Sequence, residues 1–163
     1  MTDINSIQVS IDKQTLTAFD TSGSVATTFS IATAKNGIGQ KFGSECTPLG
    51  EHIIRAKIGD ALPINTVFVA RRPTGEIYSE ELAQSDAQRD WILTRILWLS
   101  GCEVGHNRLG KVDTMRRYIY IHGAPDSHQM GIPSSHGCIK MRNQDIIDLF
   151  DLVAVGTKVT IHK

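Results

Sequence analysis

The sequence has no excess of either charge. Seventeen Lys and Arg balance seventeen Asp and Glu over 163 residues, and neither sign forms a long run. This excludes the electrostatic footprint by which nucleic acid or an anionic membrane is usually held, and leaves a small or neutral molecule as the expected partner. Long apolar runs are also missing. No stretch approaches the ~20 residues that cross a bilayer, so no membrane insertion is expected. The opening MTDINSIQVSID has neither the basic nor the apolar region of a secretory signal. If Met1 is the natural start, the expectation is a cytoplasmic protein; if a leader has been removed, it is a periplasmic one. Cysteine is scarce. Cys46, Cys102 and Cys138 are odd in number and widely spaced, with no Cys-x-x-Cys pair, which argues for reduced thiols over a disulfide framework. A chain of this length fits one domain, residues 1–163, burying roughly 70% of its unfolded surface without a metal or disulfide.

What is present reads mainly as short strands. IQVSID and TLTAFD alternate apolar and polar residues, VATTFSIAT is rich in β-branched residues, and HIIRAKI and NTVFVARR continue the pattern beyond the Gly-rich connection AKNGIGQKFGSECTPLGEH. Residues 86–99 break it. Trp91, Ile92, Ile96 and Leu99 repeat at helical spacing between a Ser85 or Asp86 cap and Gly101, predicting an amphipathic helix in which Trp91 and Trp98 serve packing. RRYIYIHG predicts a strand ending at His122, NQDIIDLFDLV a short helix capped by Asn143, and GTKVTIHK a closing strand. The expected fold class is mainly β with one or two helices.

One constellation carries chemistry. GIPSSHGCIKMRN places Cys138 directly after Ser135, His136 and Gly137, with His122 sixteen residues upstream. A thiol becomes an efficient nucleophile when a base or an electropositive setting lowers its pKa from ~8.5, and histidine is the usual base. Both His122 and His136 are candidates. Gly137 leaves the backbone open, so the amides around Gly137 and Cys138 can face a developing oxyanion. Two blander readings stand beside this one. A lone cysteine is more often a small buried hydrophobe, and His122, His128, His136 and Cys138 could together ligate zinc. Against the metal, no His-x-x-x-His helix or Cys-x-x-Cys knuckle is present. The thiol–histidine reading needs no cofactor.

The stretch HGAPDSHQMGIPSSHGCIKM resembles the signature of the L,D-transpeptidase catalytic-domain (YkuD-type) family, and TPLGEHII and ATAKNGIGQKFGSECTPLG resemble its upstream elements. The likeness is weak over residues 80–110. It implies a β-sandwich catalytic domain attacking the L,D-amide bond of peptidoglycan tetrapeptide stems, before the terminal D-alanine. It further implies that Cys138 forms an acyl-enzyme and that His122 is the general base, its ring held by the Gly123 carbonyl. Ser135 and His136 then shape the site, and the Gly137 and Cys138 amides form the oxyanion hole. The family most often carries Arg or Asn where this chain has Lys140, with Arg142 two further on. Lys keeps the charge and loses the planar two-pronged grip on a carboxylate, which Arg71 and Arg72 could supply instead.

An acyl-enzyme resolved by water gives an L,D-carboxypeptidase, and one resolved by an amine gives a transpeptidase. Without an export signal the partners would be soluble stem peptides or muropeptides. The expectation is therefore a cytoplasmic L,D-carboxypeptidase of peptidoglycan recycling. The alternatives are a cross-linking or D-amino-acid-exchanging transpeptidase and, in another class, a non-catalytic muropeptide-binding domain.

Overall fold

The computed structural model describes residues 3–163. Ten strands and two α-helices occur among them. The first strands are β1 (Ile4–Ser10), β2 (Thr15–Asp20), β3 (Val25–Ala32), β4 (Gly50–Ile58), β5 (Thr66–Val69) and β6 (Arg72–Ile77). After α1 (Glu80–Ser85) come β7 (Ile92–Gly101), β8 (Tyr120–Ala124), β9 (Ile139–Arg142), α2 (Asn143–Leu152) and β10 (Lys158–His162).

The strands run in the order β4-β10-β1-β2-β3-β9-β8-β7, and a β4–β7 pairing joins the two ends of that row. The mainly-β expectation is met by one sheet that closes on itself as a barrel. Closure removes both free edges of the row, and β5–β6 hang from β7 as a two-stranded ribbon. Alternation along each strand then decides what lies inside. Ile7, Val9, Leu16, Leu97, Leu99, Ile121, Ile139 and Met141 meet in one core, to which α2 adds Ile146, Leu149 and Phe150 at helical spacing.

The predicted helix over 86–99 is overturned, because residues 92–101 form β7, the strand shared by barrel and ribbon. Its apolar residues are continuous because both faces are covered. Leu97 and Leu99 face the core, while Ile96 and Trp98 pack with Phe68 and Tyr120 under the ribbon. A short apolar run covered on both faces has no period-2 signature to separate it from a buried helix. The predicted packing roles hold. Trp91 is buried with Val67 and Leu93, edge-on to Tyr78, and Trp98 donates its indole N–H to the Met115 carbonyl. Asn143 does not cap α2: Arg142 occupies that position, and the Asn143 side chain turns toward β7.

Candidate active site

β8 and β9 lie parallel, with Ile121 opposite Ile139 and His122 opposite Lys140. In parallel strands, residues in register share a face. Ile121, Ile139 and Met141 therefore enter the core, and Tyr120, His122, Cys138 and Lys140 turn the other way, into a cleft of about 410 Å³. Arg71, Asp90, Arg117, Tyr118, Ser135 and His136 complete its walls.

His122 is buried, and its Nδ1 lies 2.6 Å from the Gly123 carbonyl. A carbonyl can only accept, so Nδ1 carries the proton and Nε2 keeps the lone pair of a base. Burial holds the His122 pKa below its usual value, opposed by that same hydrogen bond, and the ring is neutral near pH 7. Gly123 is required by close approach. A Cβ there would stand 2.5 Å from Asn143 Oδ1 and 2.6 Å from the Leu93 carbonyl.

Cys138 departs from the sequence expectation of an acidified thiol. Burial pushes its pKa up to about 12, against smaller lowering effects from the Tyr120 N–H, Arg117 and Lys140. Sγ accepts the Tyr120 N–H at 3.3 Å and donates to the Tyr118 carbonyl at 3.4 Å. The residue retains partial exposure, so the sulfur can be reached from the cleft. At rest the site is a neutral thiol beside a neutral imidazole.

The Ser-His-Gly-Cys loop is held from within. Ser135 Oγ donates to the Cys138 carbonyl at 2.5 Å and accepts the Gly137 N–H at 3.2 Å, while Thr47 Oγ1 donates to the Gly137 carbonyl at 2.9 Å. Gly137 sits at φ +130°, and a Cβ there would meet Ile119 and the Cys46 carbonyl at 3.1 and 3.2 Å. His136 lies at the rim, its Nδ1 3.9 Å from Asp90 Oδ2.

The four predicted basic residues are placed very differently from one another. Arg71 sits at the tip of the β5–β6 hairpin, where Ala70 and Arg71 both have positive φ, as a tight two-residue turn requires. It stacks 4.7 Å over the Trp98 ring and 4.8 Å over Tyr118, and donates to the Tyr120 hydroxyl at 2.9 Å. Arg72 is exposed on β6, and Arg142 pairs with Asp145 at 3.8 Å; neither lines the cleft. Lys140 lines it and is 6% exposed, its Nζ 3.4 Å from both His128 Nδ1 and Ser134 Oγ. Burial lowers its pKa, opposed by Asp90 and Cys138.

Two charged wall residues escaped the sequence reading. Arg117 donates to the Cys46 and Gly39 carbonyls, and Asp90 joins the cleft to a second cavity of about 480 Å³ that shares His136 and Lys140. Asp90 is remote from the motif in sequence and Arg117, five residues before His122, carries no motif signal, so only the folded chain shows that both line the cleft. Among the described residues, no three His, Cys, Asp or Glu side chains are grouped to hold a metal ion.

The family model of the L,D-transpeptidase catalytic domain matches residues 4–161. The putative L,D-transpeptidase YkuD of Bacillus subtilis is 40% identical over 48 residues, 29% of each chain. The probable L,D-transpeptidase ErfK/SrfK of Escherichia coli is 49% identical over 45 residues, 28% of this chain and 14% of its own. Among solved structures, an L,D-transpeptidase from Mycobacterium smegmatis superposes over 99% of this chain and 59% of its own, with a TM-score of 0.58 and 18% identity. One from Mycobacterium tuberculosis covers 97% and 57%, with a TM-score of 0.56 and 16% identity. The chain thus spans under two thirds of these solved chains, and its matched segments a smaller share of the curated relatives. With the family model covering nearly its full length, the chain belongs to the L,D-transpeptidase catalytic-domain family.

Proposed function

We propose that the protein is a cysteine-dependent peptidoglycan L,D-peptidase that cleaves the terminal D-residue from stem peptides through an acyl-enzyme at Cys138, with water as the main acceptor. The observation that carries this reading is Lys140. It is an ammonium 6% exposed, beside the thiol and imidazole, and no carboxylate pairs with it among the described residues. Buried charges are normally paired. The terminal carboxylate of a stem peptide would supply the missing partner and set the preceding amide against Sγ.

His122 Nε2 takes the thiol proton as Sγ bonds to the amide carbon, leaving the negative charge on the former carbonyl oxygen. The Gly137 and Cys138 amides receive that charge. The long Gly137 bond to Ser135 Oγ is one an anionic oxygen would outcompete. The imidazolium returns its proton to the departing amine, and water, deprotonated by the same Nε2, releases the shortened stem. A pKa near 12 means that this proton transfer is coupled to substrate binding and not completed beforehand.

A second reading is transpeptidation. The cavity beyond Asp90, His136 and Lys140 has room for an acceptor, and the Asp90 carboxylate would draw an ammonium group. Incubating the protein with a tetrapeptide stem and weighing the products decides between them. Tripeptide and free D-alanine support hydrolysis, cross-linked dimer supports transpeptidation, and binding without turnover supports a muropeptide-binding module. We further propose soluble muropeptides of peptidoglycan recycling as the substrates, a reading supported by the balanced charge, and the cytoplasm as the compartment. Fractionation of cells carrying the natural gene tests the compartment.

A further inference from the structure

Behind His122 the barrel departs from regular geometry. β7 bulges between Leu93 and Ile96, directly across from Gly123 and His122 on β8. Within the bulge Thr94 sits at φ +75°, in the left-handed region that a β-branched residue rarely enters. Bulges of this kind recur beside active sites, where they re-aim side chains.

Thr94 is fully buried, and its hydroxyl is used twice. It accepts the Asn65 N–H at 3.0 Å and donates to Asn143 Oδ1 at 2.5 Å. Asn143, also fully buried, donates through Nδ2 to Asn65 Oδ1 at 2.9 Å and to Asp126 Oδ1 at 3.1 Å. One amide and one hydroxyl therefore tie together the entry to β5, the bulge of β7, the first residue of α2 and the loop that runs on to Cys138. Gly123 lies against this cluster, with Asn143 Oδ1, the Leu93 carbonyl and Thr94 Cβ crowding the space where its own Cβ would stand. Its carbonyl is the one that holds His122 Nδ1.

We propose that Thr94 and Asn143 are positioning residues, a buried clamp that fixes the Gly123 peptide plane and thereby keeps His122 in the tautomer that offers Nε2 as base. The proposal rests on the reading of His122 as that base. A glycine at position 94 would adopt the same φ without strain, so a threonine held there against its backbone preference points to a use for the hydroxyl. Asn143 sits on the first turn of a helix, where its amide could face solvent. Its side-chain hydrogen bonds instead point at the bulge, the entry to β5 and the loop.

The test uses Thr94→Val, Thr94→Ser and Asn143→Ala in the full chain, with single-turnover acylation by a tetrapeptide stem and ¹⁵N NMR of the His122 ring. Thr94→Val and Asn143→Ala should lower the acylation rate by ~10²-fold, the scale of a misplaced catalytic group, with stem affinity unchanged. Their ring ¹⁵N shifts should move from a single Nδ1–H form to a mixture, and Thr94→Ser, which keeps the hydroxyl, should restore both readouts. A folded Thr94→Val protein with the parent's rate and tautomer would overturn the clamp, as would a Ser variant as slow as Val. Should Asn143→Ala not fold, the Val and Ser pair decides alone. Should Val not fold either, an Nε2–H ring in the parent overturns the proposal and an Nδ1–H ring supports it. His122→Ala separates the two layers: if it leaves acylation intact, the base assignment has failed, whereas a slow His122→Ala beside a fast Thr94→Val removes only the clamp.

Discussion

Alkylation of the substrate-free protein should find Cys138 slow, the reverse of what a catalytic thiol is usually assumed to do. With its pKa pushed from 9.0 to about 12, the thiolate fraction at pH 8 is ~10⁻⁴ where an unshifted thiol would have ~10⁻¹. That is a ~10³-fold deficit. The more basic thiolate is intrinsically a better nucleophile, with a Brønsted slope of about 0.4–0.5, which returns a factor of ~25 and leaves Cys138 about 40-fold slower than an ordinary exposed thiol. The assay is iodoacetamide labelling of a Cys46→Ala, Cys102→Ala protein, followed by intact mass from pH 7 to 10. The rate should climb about tenfold per pH unit across the whole range without a plateau. A plateau with a midpoint below pH 8 would refute the argument, because it would reveal a thiolate–imidazolium pair already formed at rest.

Lys140→Met should lower kcat/KM for a tetrapeptide stem by ~10- to 150-fold, the value of one charge-assisted hydrogen bond, and should cost nothing on a stem whose terminal carboxylate is amidated. Equal losses on both substrates would show that Lys140 does not read the carboxylate. His52 is buried between the Gly50 carbonyl and the Thr114 hydroxyl, and burial lowers its pKa from 6.5 to about 4. Between those values the unfolded chain takes up a proton that the folded one declines. Stability should therefore be full above pH 6.5 and fall by about 3 kcal/mol as pH drops to 4. Urea unfolding of the parent and of His52→Gln measures it, and identical pH slopes would count against the assignment. Gly123→Ala forces a Cβ against Asn143 Oδ1 and the Leu93 carbonyl; the overpacking should cost about 3 kcal/mol, or about 6 to 12 °C in Tm. Calorimetry showing an unchanged Tm would mean the bulge yields freely.

The sequence made some elements legible and hid others for identifiable reasons. β1 and β2 each have one buried and one solvated face, so their alternation is visible in the residues themselves. β7 is covered on both faces and carries a bulge that shifts its phase at Thr94, and its apolar residues fell by accident on a helical spacing. The hairpin tip at Ala70 and Arg71 lacks the Gly or Asn that usually announces such a turn, so NTVFVARR reads as one strand running through the turn and β6 beyond Arg72 goes unseen. Within the site, Cys138, Ser135 and His136 are contiguous and His122 belongs to the same motif, which makes them readable. Thr47 was flagged only through the likeness of TPLGEHII, and its hydroxyl ties the Gly137 carbonyl to the Ala34 amide. Asp90 reaches the cleft through tertiary folding alone, and nothing in the motif marks Arg117, five residues before His122. The thiol's pKa was misjudged for the same reason, because burial is set by neighbours that the motif does not contain.

The barrel's closing seam bears on how the protein is made. β10 is inserted between β1 and β4, parallel to the first and antiparallel to the second. On the ribosome, every residue that lines the cleft has been synthesised once Lys140 is added, yet two strand edges still wait for residues 158–162. Until they arrive, β1 presents an unpaired backbone edge backed by Ile7 and Val9, the kind of edge that pairs readily with a neighbouring chain. Contacts spanning almost the whole chain are also among the slowest to form. Closure of the barrel that frames the cleft therefore waits for β10, and the interval before β10 docks is the one in which the nascent chain is most exposed to its own copies.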